Sequence, residues 1–397
     1  MPHIIIREED NTASSLPEEE YNVVYIPGYR GVSGELEYQN PTLFKNVDDF
    51  SLAMTGSKTG DVSIISQGSE SKNLSAVIAK QLLRLGMTVL YEAFNIQDVT
   101  LPADIDWDKL KDRGLYRIKY LTTGGYANYD VKDSMLACAE YRGDCIALID
   151  HANEVVPGSG ETVADAISEL FKNLDAKYGA AFTPWCRFDL DEGKFELPGS
   201  FAYLSAFANS VKNNPNWYAA AGSRRGIIPN LIEPLEKFGD IDCQVLQARD
   251  ITASGDFGGN DNIGVAVNPI SNIRPFGYII WGNRTLLNNT AGLIASSFLN
   301  VRNLCCDIKK LLYRAAREFT FEQNSDILWS NFCARISPLL DKALSGNGIR
   351  GYKLIKEHTD RKGCLKARIK IIPIEAVEDF DLTLELTDSI ENVTENI

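Results

Sequence analysis

Three histidines occur in this chain, His3 in an acidic leader, His358 in a charged loop between predicted strands, and His151, the one to weigh for acid–base chemistry. It follows Asp150 at the end of the apolar run Cys145-Ile146-Ala147-Leu148-Ile149. The pair therefore sits at the carboxyl end of a predicted strand, where ligands and catalytic groups gather in open α/β sheets. A carboxylate beside an imidazole can act as a general base. Such a base needs something to activate, and no G-x-S-x-G elbow or other serine motif accompanies it. An enzyme using Asp150-His151 thus stands as one reading, against a hydrogen-bonded loop histidine as the plainer one. Thr55-Gly56-Ser57-Lys58-Thr59-Gly60-Asp61 lacks the full phosphate-loop spacing. Gly255–Asn262 departs from the EF-hand order and reads as a connection. Asp189, Asp191 and Glu192 before Gly193 read as a turn rather than a glycosidase pair. The eight cysteines include no C-x-x-C, so buried reduced thiols are expected, and neither a metal nor a cofactor.

Charge is distributed more tellingly than it sums. The 397 residues carry a formal net charge of −14, which argues against a broad nucleic-acid footprint. Residues 1–20 hold six acids and one base, and residues 375–397 hold eight acids and no base, so residues 21–374 are nearly neutral. Acidic ends usually read as solvated tails, yet each end here has strand character. Ile4, Ile5 and Ile6 form a β-branched run. Phe380, Leu382, Leu384 and Leu386 alternate with Asp381, Thr383, Glu385 and Thr387, the period of a strand with one buried face. Such strands complete the chain's own sheet or pair with the open edge of a neighbour's. The first residues lack a basic region followed by a long apolar one, so neither a signal peptide nor a membrane anchor is expected.

Hydrophobic residues make up 44% of the chain, enough for a sizeable core. Strands are predicted at 22–27, 61–66, 88–94, 117–121, 145–150 and 180–185. Helices are predicted at 71–85, 131–141, 162–174 and 201–211. This alternation implies a mostly parallel sheet with helices on both faces. Beyond Gly255 the pattern becomes a strand at 278–281, two long helices (298–318 and 324–344) and strands at 352–356 and 365–374, an α+β arrangement. The expected organisation is an arm over 1–21, an α/β domain over 22–268, a C-terminal α+β domain over 269–377, and a strand and arm over 378–397.

Several segments, in order, resemble the sheath proteins of contractile tails in myovirus-type bacteriophages and related injection particles. They are Asn268-Pro269-Ile270-Ser271-Asn272-Ile273-Arg274-Pro275-Phe276, Trp281-Gly282-Asn283-Arg284-Thr285-Leu286, Leu299-Asn300-Val301-Arg302-Asn303-Leu304, Phe321-Glu322-Gln323-Asn324 and Leu328-Trp329. Upstream, Leu197-Pro198-Gly199-Ser200 with the helix after it, and Trp217–Gly226, resemble the middle domain of that family. The family's Ala-Arg is Ala208-Asn209 here, and its Glu-Pro-Asn is Glu322-Gln323-Asn324.

The resemblance implies a non-catalytic domain of subtilisin-like topology. It implies a helical homopolymer of stacked six-subunit rings around an inner tail tube, with baseplate and tail-terminator partners. Its arms would insert into neighbours' sheets, and it would contract from a metastable extended state to drive the tube through a cell envelope. The implied location is the virion tail, assembled in the host cytoplasm, with no direct nucleic-acid or membrane partner. Arg302, Lys309, Lys310, Arg314 and Arg317 make one helix basic within a nearly neutral body, and are expected either to form a solvated face or to face an acidic tube surface. A non-contractile viral structural protein is a third reading.

Overall fold

A computed structural model describes residues 22–30, 40–64, 72–95, 101–249 and 264–378. The chain enters through β1 (Val23–Tyr29), followed by β2 (Thr42–Phe44), α1 (Val47–Thr55), α2 (Leu74–Arg84) and β3 (Thr88–Phe94). Leu74, Val77, Ile78 and Leu82 recur at helical spacing on α2, and Asn73 caps its start by accepting from the Ala76 N–H. Gly86 follows with φ +91, a left-handed conformation that ends helices and suits glycine. Next come β4 (Tyr120–Leu121), α3 (Lys132–Arg142), β5 (Ile146–Ile149), α4 (Val163–Phe171) and β6 (Gly179–Thr183). The hairpin β7 (Cys186–Leu190) and β8 (Gly193–Leu197) leads into α5 (Gly199–Val211). A short α6 (Gly222–Arg225), β9 (Leu231–Pro234) and α7 (Asp240–Leu246) precede β10 (Asn268–Ile273) and β11 (Gly277–Ile280). The chain ends in α8 (Leu299–Glu318), α9 (Asp326–Ser345), β12 (Ile349–Glu357) and β13 (Lys366–Pro373).

One eight-stranded sheet runs in the order β11-β10-β6-β5-β4-β1-β3-β2. Its inner pairings are all parallel, and antiparallel β2 and β11 close the two edges. β1 to β3 steps one way along the sheet and β4 to β5 to β6 steps the other. Right-handed crossovers therefore put α2 on one face and α3 and α4 on the opposite one. The expected fold, a mostly parallel sheet with helices on both faces followed by α+β elements, is the fold found.

The boundary expected near 268 is corrected: β10 pairs with β6 in parallel, Asn268 opposite Phe182 and Pro269 opposite Thr183, and β11 extends the same sheet to Ile280. Composition changes near Gly255, but a pairing across 80-odd residues leaves no local trace. The strand expected at 61–66 is, over its described residues, a turn and a single bridge between Ile64 and Lys72. The strand expected at 117–121 is only Tyr120–Leu121. Asp191 and Glu192 do form the β7–β8 turn, and Glu192 is tied to Lys80 of α2 by a buried 2.7 Å ion pair.

α8 belongs to two cores. Leu299 and Cys306 enter the large core of the main sheet. Leu304, Ile308, Leu311 and Ala315 join α9 and the β12–β13 ribbon in small clusters of their own. Where α8 meets the sheet, Lys119 is fully buried and its Nζ lies 2.7 Å from the Asp307 carboxylate, which also accepts from Asn216. Beside it, the Tyr120 hydroxyl donates to Asn303.

Candidate functional site

Asp150 and His151 sit where the sequence placed them, directly after β5, but both are buried and otherwise engaged. The Asp150 carboxylate accepts from the Ser200 N–H (3.0 Å) and the Ser200 hydroxyl (2.6 Å). Helix α5 begins after Pro198, which offers no side-chain cap, so Asp150 takes that role from across the sheet and meets the positive helix end. The helix start is also pressed against β6: a Cβ on Gly199 would lie 2.2 Å from the Phe182 carbonyl oxygen. Burial pushes the Asp150 carboxyl up to about 7, against the pull of the Ser200 hydrogen bonds. Burial holds His151 below its ordinary value, so the ring is neutral. Its Nδ1–H donates to the Ala152 carbonyl (2.6 Å), which leaves Nε2 to accept from the Thr183 hydroxyl (2.8 Å). Neither ring nitrogen faces Ser200. The two hydroxyls that meet these groups, Ser200 and Thr183, are buried with them, and the arrangement braces a helix start and a strand end.

The five basic residues of α8 do not share one face. Arg302 is 6% exposed, lies over the Tyr178 ring at 4.7 Å and donates to the Ser296 hydroxyl at 2.5 Å. Lys309 covers the same ring at 4.8 Å and donates to the Tyr178 hydroxyl. These two, seven residues apart, dock α8 onto the body. Lys310, Arg314 and Arg317 follow a second stripe at i, i+4 and i+7. Arg314 pairs with Glu318 at 3.5 Å and Arg317 lies over the Tyr313 ring at 5.8 Å, whereas the Lys310 ammonium is buried, with no hydrogen-bond partner among the described residues. Helical spacing alone could have separated the two stripes. Ile4, Ile5, Ile6, Phe380, Leu382, Leu384 and Leu386 lie outside the described residues, as does all of Gly255–Asn262.

The strands expected at 352–356 and 365–374 pair as a ribbon, β12 with β13, whose open, basic edges the sequence reading did not single out. It is a sheet of two strands, so among the described residues both its outer edges carry unpaired backbone donors and acceptors. Alternation sets its two faces. Tyr352, Leu354, Ile369 and Ile371 pack inward on α8 and α9. Lys353, Arg368, Lys370 and Ile372 point away and are exposed. Residues 349–373 hold eight bases against two acids. Lys353 stands directly opposite Lys370, a like-charge pair that destabilises an isolated ribbon. Glu357 neutralises Lys366 and Arg368 at one end, and Lys356 pairs with Asp326 of α9. Arg350, Lys353 and Lys370 have no ion-pair partner among the described residues. The signal was present in the sequence as a run of lysines and arginines alternating with isoleucine and leucine.

Among the described residues no group of three or more His, Cys, Asp or Glu side chains is placed to hold a metal ion, and no helix is long and apolar enough to cross a membrane.

No family profile and no curated protein matches the sequence. Solved structures do match in fold. One is the sheath complex of an extracellular contractile injection system, PVC, in its contracted state, at 17% identity over 98% of each chain with a TM-score of 0.67. A chain of the six-fold symmetrised baseplate of the anti-feeding prophage matches at 14% identity over 98% of this chain and 99% of that one, TM-score 0.68. The helical sheath of the same particle in its contracted state matches at 14% identity over 98% and 99%, TM-score 0.61. Over its described residues, this chain has the fold of chains from contractile injection particles, the fold that the sequence resemblance implies.

Proposed function

We propose that the chain is a subunit of a contractile sheath, linked to its neighbours by strand exchange at the β12–β13 ribbon. The observation that carries this reading is the match between an open-edged, basic ribbon and two acidic chain ends patterned as strands. Residues 349–373 carry net +6, residues 1–20 net −5 and residues 375–397 net −8. An arriving strand gains backbone hydrogen bonds from the edge, seats alternate apolar residues, and brings carboxylates to Lys353 and Lys370. Donor and acceptor are different surfaces of one subunit. The contact is therefore heterologous and propagates into an open helical polymer rather than closing as a dimer.

In this reading, rings of six subunits stack around an inner tube on a baseplate. The extended state is metastable, and contraction drives the tube into a target envelope while the arms keep subunits linked. Arg314 and Arg317 are the tube-facing candidates, since the Lys310 ammonium is buried, and Arg302 and Lys309 serve as the docking pair that orients the helix. The fold shared with sheath structures supports the reading.

Electron microscopy of the full-length chain beside a variant lacking residues 1–20 and 379–397 tests it. Hollow striated tubes from the full-length protein, lost on truncation, are expected. Tubes that persist without both ends would overturn strand exchange as the link. Charge reversal at Arg314 and Arg317 that leaves tube-templated assembly unchanged would remove the tube-facing assignment.

A further inference from the structure

The segment that leaves β13 does not hang from the ribbon. It crosses to the main sheet and is held at both ends. At its start, the Ile374 N–H donates to the Gly348 carbonyl (3.1 Å) and the Asn300 amide donates to the Ile374 carbonyl (3.4 Å). At its end, the Glu378 carboxylate lies 2.5 Å from Arg284 and 3.8 Å from Arg249. Ala376, Val377 and Glu378 form one wall of a groove of about 570 Å³ that also holds Trp281, Asn283 and Gln247.

Arg284 is a prepared seat. It is 3% exposed, and its guanidinium lies over the Phe298 ring at 4.6 Å. Its backbone is fixed by the Asn268 side chain, which accepts from the Arg284 N–H (2.7 Å) and donates to the Arg284 carbonyl (2.9 Å). Asn283 beside it donates to the Asn300 side chain (2.8 Å), and the Asn300 N–H donates back to Asn283 (3.1 Å). Thus Trp281-Gly282-Asn283-Arg284 and Leu299-Asn300, two segments that the sequence singled out without assigning a task, converge on the same five-residue strap.

We propose that Arg284, with Arg249, is a carboxylate seat for Glu378 that fixes the point on the main sheet from which the C-terminal segment departs. The seat is a property of the single subunit, although its use as the root of an exchanged arm rests on the proposed function. Burying a carboxylate against an immobilised guanidinium gives a directional, charge-assisted contact. A flexible lysine would not reproduce it. With the root held on the main sheet, the chain that follows begins away from its own ribbon, which favours pairing with another copy.

The test uses the dispersed full-length chain, so it does not depend on polymer formation. Hydrogen exchange is followed at the amides of residues 374–378 in wild type, Glu378→Gln, Arg284→Lys and the swap Glu378→Arg with Arg284→Glu. Exchange is expected to rise about tenfold in Glu378→Gln, in line with local opening of a strap that loses one end, while the β1 and β5 amides stay unchanged. The increase should shrink at high salt, where wild type also loosens. Glu378→Gln lies at the surface of the groove and leaves the core intact, so it remains informative if an Arg284 variant fails to fold. Equal exchange at 374–378 in wild type and Glu378→Gln would overturn the seat. A normal seat alongside the absence of tubes would instead count against the sheath reading alone.

Discussion

Lys353→Glu should move two measurable quantities in opposite directions. In the isolated subunit Lys353 faces Lys370 across the ribbon, and both are exposed. Each directly opposed charge pair contributes about 0.5 kcal/mol, favourable or unfavourable by sign. Reversing one partner removes a repulsion and adds an attraction, a gain of about 1 kcal/mol. Ribbon amides should then exchange about fivefold more slowly. In the proposed polymer the same change would remove an attraction to an acidic strand and add a repulsion, each about 0.5 kcal/mol at an exposed site. The protein concentration needed for tubes should rise about fivefold. Sedimentation of polymer against total protein reads the second effect, and hydrogen exchange on the dispersed chain reads the first. Both differences should fade near 1 M salt, where the screening length is about 3 Å. A variant with a better-protected ribbon and unchanged or improved polymerisation would refute the idea that these lysines receive acidic strands.

Asp150 makes stability depend on pH. Its folded value of about 7 lies above the unfolded value of about 3.9, so the native state holds more protons between the two. Stability therefore falls as pH rises from about 4 to 7, by at most about 4 kcal/mol. Asp150→Asn should remove that slope in denaturation curves and leave the opposite one from His151, whose depressed value costs stability on acidification below about 6.5. An unchanged profile would sink the assignment. At the α8 seam, Asp307→Ala should cost about 3–5 kcal/mol because it strands the buried Lys119 charge. Replacing both partners, Lys119→Met with Asp307→Leu, should cost far less, and equal losses in chemical denaturation would contradict this.

Periodic, locally determined elements were legible in the sequence. α2, α8 and α9 follow their 3.6-residue pattern, and β3 matches the apolar run 88–94 residue for residue. Elements defined by distant partners were not. β10 reads as part of a new domain until its pairing with β6 is seen. The two-residue β4 is defined by β1 and β5 on either side rather than by its own length. The candidate site divides the same way. Composition revealed the acidic ends, but the seat for Glu378 depends on Asn268, Phe298 and Asn300 converging around Arg284. The capping role of Asp150 depends on Ser200, 50 residues away, and so a buried brace resembled a catalytic pair in sequence.

Helix α8 gives the subunit a mechanical character. Its inner side is anchored in the main sheet through Cys306, Asn303 and the Lys119–Asp307 pair, and another side carries the ribbon. The seat at Glu378 lies on the main sheet. In a polymer linked ribbon to arm, tension entering one subunit through the ribbon must cross α8 before leaving through the next link, so helix and arms act as springs in series. Along that route lie the buried Lys119–Asp307 pair and the strap at residues 374–378, tied at Ile374 and Glu378. In the contracting polymer proposed above, strain would fall first on that strap, because it joins ribbon and main sheet through a few polar contacts, while the sheet is held by a continuous apolar core.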